Sequence, residues 1–142
     1  MDRIQTVDFF NVLYKGSKMG QASIDQIIKK CESRCLKRDL LDLQNTYKRI
    51  SHEADQQLQK MGEIPLDIPI RGRVMLWGMV QLGSSDEGRL SYMVLNGINM
   101  GAQEICEGLV RYQHASHSAK KLARKMLQIQ EDFSPVFGSY LN

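Results

Sequence analysis

The sequence predicts an all-α protein, a four-helix bundle with a long crossover connection and a short extra helix. Helix-favouring residues predominate in the 142-residue chain, which contains only 3 prolines. Apolar residues recur every three to four positions along four segments, the spacing of helices that bury one face. The four segments form two similar halves, and a proline-containing stretch separates the halves, as in bundles with a crossover.

The first half of the chain predicts two helices. The first covers residues 6–32, with Thr6 as its N-cap. The second covers residues 36–61, and Gly62 follows where a left-handed glycine often ends a helix. The two inward-facing stripes are Phe10, Leu13, Ser17, Gly20, Ile24, Ile27 and Cys31 on the first helix, and Leu36, Leu40, Leu43, Tyr47, Ile50, Ala54 and Leu58 on the second.

The second half begins with an extended connection, because Pro65 and Pro69 exclude helix there. Residues 73–82 are almost wholly apolar and predict the short extra helix, laid over the bundle. The third long helix covers residues 87–113, with Ser84 as N-cap and Glu87 as its capping-box partner. The fourth covers residues 116–137, and Pro135 is expected to kink it or end it early. The inward-facing stripe of the third helix is Val94, Ile98, Gly101, Ile105, Gly108 or Leu109, and Tyr112. The inward-facing stripe of the fourth helix is Leu122, Met126, Ile129, Phe133 and Val136.

A Gly-x-x-Met-Gly motif occurs in both halves, at Gly16–Gly20 and at Gly97–Gly101. A glycine inside a helix costs roughly 1 kcal/mol relative to alanine, so close packing is the expected compensation. In the internal repeat, the sequence of the first helix corresponds to that of the third, and the sequence of the second helix corresponds to that of the fourth. We therefore expect the four motif glycines to be helix-packing residues, with Gly20 and Gly101 meeting in the middle of the bundle.

A bundle of this topology resembles the ferritin-like class, in which inward carboxylates and histidines hold two metal ions. Here the corresponding central positions contain no carboxylate and no histidine, so neither a metal site nor another cofactor is expected. Gln44 and Gln130 are instead expected to be buried amides that hydrogen-bond each other or Tyr47. The positions in question are Ser17 or Gly20, Ile98 or Gly101, Gln44, Tyr47, Gln130 and Phe133.

Other ligand and catalytic patterns are weak. A relocated metal site using His52, Glu53 and Glu104 is the alternative, and His114 with His117 is a weaker candidate. No Ser-His-Asp set, phosphate loop or paired acid motif is visible, so no catalytic residue is assigned and an enzyme is not expected.

Partners and location follow from charge and apolarity. The net charge is only +3, and acids interrupt the basic cluster near residue 34, while a second cluster begins near residue 120, so no nucleic-acid partner is expected. No apolar run is long enough to cross a membrane, and the N-terminal residues do not form a signal peptide. The 3 cysteines, Cys31, Cys35 and Cys106, are expected to be reduced thiols in a cytoplasmic protein. The candidate interface of a homo-oligomer, expected to be a dimer, is Met75, Leu76, Trp77, Met79 and Val80.

Four segments, YKGSKMGQASID, MLWGMVQL, MVLNGINMGAQEI and LQIQEDF, resemble a family of small bacterial proteins, mostly from anaerobic Firmicutes. The resemblance covers nearly the whole chain and implies a ferritin-like bundle without the di-iron ligands. It implies no activity. The sequence therefore favours a non-enzymatic structural or interaction protein, and the alternative is a degenerate metal-binding protein.

Overall fold

The computed structural model describes residues 1–66 and 86–141, and these residues form four α-helices and no strand. The helices are α1 (Arg3–Lys30), α2 (Arg34–Lys60), α3 (Glu87–Arg111) and α4 (His117–Gly138). The predicted all-α class and the number of long helices are confirmed. The short helix over residues 73–82, including the interface residues within it, lies outside the described residues.

Two of the predicted N-caps were wrong. Helix α1 begins earlier than expected, and its N-cap is Asp2, whose side chain accepts a hydrogen bond from the Gln5 backbone N–H at 3.0 Å. The N-cap of α3 is Asp86, which accepts from Arg89, rather than Ser84, which lies outside the described residues. Aspartate, serine and threonine are all favoured N-cap residues, so several candidates occur close together in the sequence. Aspartate is preferred to threonine, in agreement with the cap of α1.

Helix α4 continues through Pro135 to Gly138 instead of ending early. The proline lies in the last turn, where its missing N–H deprives only the carbonyl of Glu131 of a helical hydrogen bond. Glu131 is exposed, so water can satisfy that carbonyl. The expectation of an early end was therefore wrong because a proline near a solvent-exposed helix end is inexpensive.

Gly62 ends α2 as expected, with a φ of 76°. Its N–H donates to the carbonyl of Gln59, and the N–H of Glu63 donates to the carbonyl of Leu58, both at 2.9 Å. These two bonds are those of a Schellman cap, which requires a left-handed residue at this position.

Replacing Gly62 with alanine is expected to lower the free energy of unfolding by about 1 kcal/mol, because a Cβ is disfavoured in the left-handed region. Gly138→Ala is the matched control, since a Cβ there has no atom within 4 Å and Gly138 has no positive φ. Urea unfolding followed by circular dichroism measures both. A Gly62→Ala variant as stable as wild type would contradict the cap.

Contacts between chain-distant residues establish the helix directions at one end of the bundle. The Asp2 backbone N–H donates to the carbonyl of His114 at 2.7 Å, so α1 begins where α3 ends. The Arg3 guanidinium donates to the carbonyl of Met61 at 2.6 Å, so α2 ends there too. Thr6, the predicted cap, is buried at this junction and its hydroxyl accepts from the Ser116 N–H at 2.8 Å.

The opposite end is closed by the C-terminal residues. The Tyr140 hydroxyl donates to the Asp39 carboxylate near the start of α2, and the carbonyl of Tyr140 lies 3.3 Å from the position of a Cβ on Gly88, at the start of α3. Helix α1 is therefore antiparallel to α3, and α2 is antiparallel to α4. Helices α2 and α3 run in the same direction, so α2 ends and α3 begins at opposite ends, as a crossover connection requires.

The predicted stripes of α1 and α2 are all buried, whereas the buried face of α4 is rotated from the prediction. Ile129, Phe133 and Val136 are only half-buried, while Gln130 and Phe137 are buried. Apolar residues flank α4's contact face on both sides, so the three-to-four spacing fits two adjacent faces. The packing against α3 selects the face that contains Gln130.

The helix ends determine where the cysteines and the two basic clusters lie. Helix α1 ends at Lys30, so Cys31 and Cys35 do not share one helix face. Cys31 is buried, as expected, and burial raises the pKa of its thiol, while Cys35 and Cys106 are exposed.

The first basic cluster lies at the α1–α2 turn and the second at the start of α4, which are opposite ends of the bundle. Over the described ranges, no helix combines the length and apolarity needed to cross a membrane.

Candidate functional site: a mid-bundle pocket

All four helices contribute to a pocket near the middle of the bundle, with a volume of about 370 Å³, here called the mid-bundle pocket. Its apolar lining comes from Met19, Met100 and Met126, together with three of the four motif glycines, Gly16, Gly97 and Gly101. Tyr47 and Gln130 are its buried polar members, at 1% and 2% exposure. Lys15, half-buried, and Glu104, exposed, are its charged members and lie on its outer side.

Two of the motif glycines, Gly20 and Gly101, make room for side chains. A Cβ on Gly20 would lie 2.6 Å from the Tyr47 ring, and a Cβ on Gly101 would lie 2.6 Å from Nε2 of Gln130. Each glycine thus faces a buried side chain from the helix that follows it in the chain, not the partner glycine that the repeat predicted. The reason is volume, since a buried tyrosine ring and a buried amide occupy the space that the glycines leave.

The two glycines also show that the halves are not equivalent at this site. Under the predicted repeat, Tyr47 corresponds to Phe133 and Gln44 corresponds to Gln130. In the structure Tyr47 packs against Gly20, but the residue that packs against Gly101 is Gln130 and not Phe133. The second contact is therefore shifted by about one helical turn along α4. The rotated face of α4 accounts for this difference, because it directs Gln130 inward and leaves Phe133 half-buried.

Tyr47 and Gln130 interact at the buried end of the pocket. Burial raises the pKa of Tyr47 to about 12, and a hydrogen bond from the Gln130 side chain partly opposes that rise. The Oε1 atom of Gln130 is buried and has no hydrogen-bond partner among the described residues. Gln44 belongs to a different contact, because its Nε2 donates to Asp25 Oδ1 at 2.6 Å and to the carbonyl of Gln21 at 3.0 Å.

The alternative metal residues are not brought together. His52 is exposed on α2, and Glu53 forms an ion pair with Lys125 at 3.4 Å. Glu104 lies on α3, where the partial burial of its carboxyl group and the nearby Glu107 raise its pKa. Within the described ranges no three His, Cys, Asp or Glu side chains form a cluster able to hold a metal ion.

His114 and His117 lie beside an open surface depression of about 610 Å³ at the α3–α4 turn. Both imidazoles are exposed. Asp2, an acid that lines this depression, is already engaged as the N-cap of α1. The depression therefore offers two imidazoles and solvent, which is too few ligands for a closed zinc site.

Tyr47 and Tyr140 are expected to ionise above the usual tyrosine pKa in an alkaline titration followed by tyrosinate absorbance. Burial raises the pKa of Tyr47 to about 12, and burial together with the Asp39 contact raises the pKa of Tyr140. Both folded-state pKa values exceed the unfolded-state tyrosine pKa of about 10. The contribution of these two groups to the free energy of unfolding is therefore complete below a pH of about 10. It declines as pH rises through the folded-state pKa values. Tyr47→Phe should remove one late-titrating group, and an unchanged titration would contradict this assignment.

Sequence reasoning identified Tyr47 and Gln130 as central but missed the pocket. It used Met19 and Met100 only as members of the repeat, outside the apolar stripes. The available signal was the motif itself, since two glycines that flank a methionine on two separate helices leave space beside a flexible apolar side chain.

Comparisons with protein-family models, with curated proteins and with solved structures find no match for this chain.

Proposed function

We propose that this protein is a non-enzymatic binding protein, a ferritin-like bundle that holds a small, largely apolar molecule where a metalloprotein of that class holds its ions. The observation that supports this is the mid-bundle pocket of about 370 Å³ with three methionines in its lining. Small-molecule pockets commonly measure roughly 300–1,000 Å³ and are mainly apolar with a few polar groups. Methionine side chains adapt their shape to a guest, and their thioethers are polarisable.

The buried polar groups favour binding over catalysis. The amide of Gln130 is neither acidic nor basic near neutral pH, so it does not act as a general acid or base. Tyr47, whose pKa is raised to about 12, remains a neutral phenol there and is a poor general base. The pair is therefore suited to orienting a guest by hydrogen bonding.

Equilibrium binding of Nile red, an uncharged environment-sensitive dye, tests this proposal. Gly16→Leu should fill the pocket and abolish binding, because Gly16 lines the pocket and its nearest atom is the terminal methyl of Met126 at 3.8 Å from a Cβ. Gly138→Leu is the control, since a Cβ there has no atom within 4 Å. Equal dye binding by wild type and Gly16→Leu would contradict the proposal.

Metal analysis of the purified protein tests the alternative. About one or two iron, manganese or zinc ions per chain would favour a degenerate metal-binding protein using His52, Glu53 or Glu104. Substituting each of these residues would then have to reduce the metal content.

Self-association is a second candidate function, favoured by the outer face of α3. Six uncharged residues on this face, called the α3 stripe, are all exposed, and the exposed Glu107 borders them and accepts a hydrogen bond from Gln103 at 3.3 Å. Interface centres are depleted in charged residues, whereas ordinary exposed helix faces contain many of them. The α3 stripe consists of Tyr92, Asn96, Asn99, Gln103, Cys106 and Val110, of which Tyr92 and Val110 are 57% and 75% exposed. We propose a cytoplasmic homodimer through this face, to which the Met75–Val80 segment is a further candidate contributor.

Sedimentation equilibrium tests the dimer. Asn99→Glu combined with Gln103→Glu should convert a dimer to a monomer by placing like charges across the interface. Gln56→Glu on the exposed side of α2 is the matched control and should leave the dimer intact. A wild-type protein that sediments as a monomer at all concentrations would contradict this second function.

A further inference from the structure

We propose that the mid-bundle pocket selects an uncharged molecule with a hydroxyl group on an apolar body, and that this hydroxyl donates to Oε1 of Gln130. This inference rests on the proposed binding function and specifies the class of ligand. The hydroxyl compounds in question are phenols and alcohols small enough for a pocket of about 370 Å³.

The first step is the unused acceptor. Gln130 is 2% exposed, and its Oε1 has no hydrogen-bond partner in the described part of the chain. Buried polar atoms in folded proteins almost always have a partner, and an exception calls for an explanation. The amide nitrogen is already engaged, since the Gln130 side chain hydrogen-bonds Tyr47 and its Nε2 lies against Gly101. What the amide still lacks is a donor. Gln130 lines the pocket while Oε1 itself is buried, so a guest hydroxyl reaches this oxygen when the side-chain amide rotates toward the pocket.

The second step is the apolar lining. Met19 is half-buried, Met126 is 2% exposed and Met100 is 52% exposed, so the lining extends from the buried end of the pocket toward solvent. Thioethers make favourable contacts with aromatic rings. A ring that carries the hydroxyl is therefore preferred to a straight chain of the same size.

The third step is charge. Lys15 and Glu104 place one positive and one negative group at the outer side of the pocket. A guest carboxylate would be attracted by Lys15 but repelled by Glu104, and a guest ammonium would be attracted by Glu104 but repelled by Lys15. The two groups therefore favour neither sign of charge. Because transfer of an ion into an apolar site is expensive without a dedicated partner, an uncharged guest is favoured.

Isothermal titration calorimetry with 4-butylphenol and 4-butylanisole tests the inference on the wild-type chain. The two probes have the same apolar body, and only the phenol has a hydrogen-bond donor. The phenol is expected to bind about 10-fold more tightly, the ratio that corresponds to one hydrogen bond to a buried acceptor. Gln130→Met should abolish this preference while retaining binding, and Gln128→Met, on the exposed face of the same helix, should preserve it.

The outcomes separate the two proposals. Equal binding of the two probes, or tighter binding of the anisole, would overturn the hydroxyl assignment and leave the binding function standing. Failure of both probes and of Nile red to bind would overturn the binding function itself. The wild-type comparison decides the assignment even if Gln130→Met does not fold.

Discussion

Phe9→Ala is expected to lower the free energy of unfolding by about 3–5 kcal/mol, the range for truncating a fully buried phenylalanine. Phe9 is 0% exposed, and its ring lies 5.3 Å from the ring of Tyr112. It also fills the space beside Gly108, where a Cβ would lie 2.6 Å from the Phe9 ring. Truncation would therefore leave a cavity in the contact between α1 and α3. Phe133→Ala is the control and should cost less, because Phe133 is half-buried.

A double-mutant cycle shows whether Phe9 and Gly108 act as one contact. Gly108→Ala alone should destabilise by overpacking, whereas in the Phe9→Ala background the added methyl group enters vacated space. The two changes should therefore be non-additive, as expected of side chains in direct contact. Urea unfolding followed by circular dichroism gives the four free energies. Strict additivity would show that Gly108 is not present to accommodate Phe9.

Gly20→Ala should lower the free energy of unfolding by about 1–3 kcal/mol, even though alanine favours helix by roughly 1 kcal/mol. The new Cβ would lie 2.6 Å from the Tyr47 ring, which is 1% exposed and enclosed by the core. Gly16→Ala in the same helix is the matched control, because its nearest neighbour is the Met126 methyl at 3.8 Å. This control should be as stable as wild type or more so.

The Gly20→Ala experiment also has a readout specific to Tyr47. A displaced ring changes the near-ultraviolet circular dichroism and loses its hydrogen bond with Gln130, whereas Gly16→Ala leaves both intact. The measurement is a comparison of the near-ultraviolet spectra and unfolding midpoints of the two variants. Equal stabilities would mean that Gly20 is not required by Tyr47.

The helices were predictable because each depends on neighbours within the same segment. Leu36, Leu40, Leu43 and Ile50 occupy one face of α2 by spacing alone, and all are buried. The role of Gly62 as the C-terminal cap of α2 could likewise be predicted, because a helix often ends in a left-handed residue and glycine adopts that conformation readily. The predicted caps of α1 and α3 were wrong, because other capping residues lie close to them in the sequence and Asp2 and Asp86 cap these helices instead.

The candidate site was predictable only in part. The spacing placed Tyr47 and Gln130 near the centre of the bundle, and the structure buries both. It did not give the rotation of α4, because Ile129 and Gln130 are adjacent and each suits a different face. That rotation decides which side chain faces Gly101 and therefore whether Gln130 enters the pocket.

The chain alone encodes four helices, the buried faces of α1 and α2 and the two glycine-flanked methionines, because each of these is a pattern within one segment. Packing in three dimensions selects Tyr47 and Gln130 as the occupants of the space beside Gly20 and Gly101. It also leaves the oxygen of Gln130 without a partner next to a cavity. The physical reason is that a glycine specifies only where volume is missing, and the side chain that fills this volume belongs to another helix.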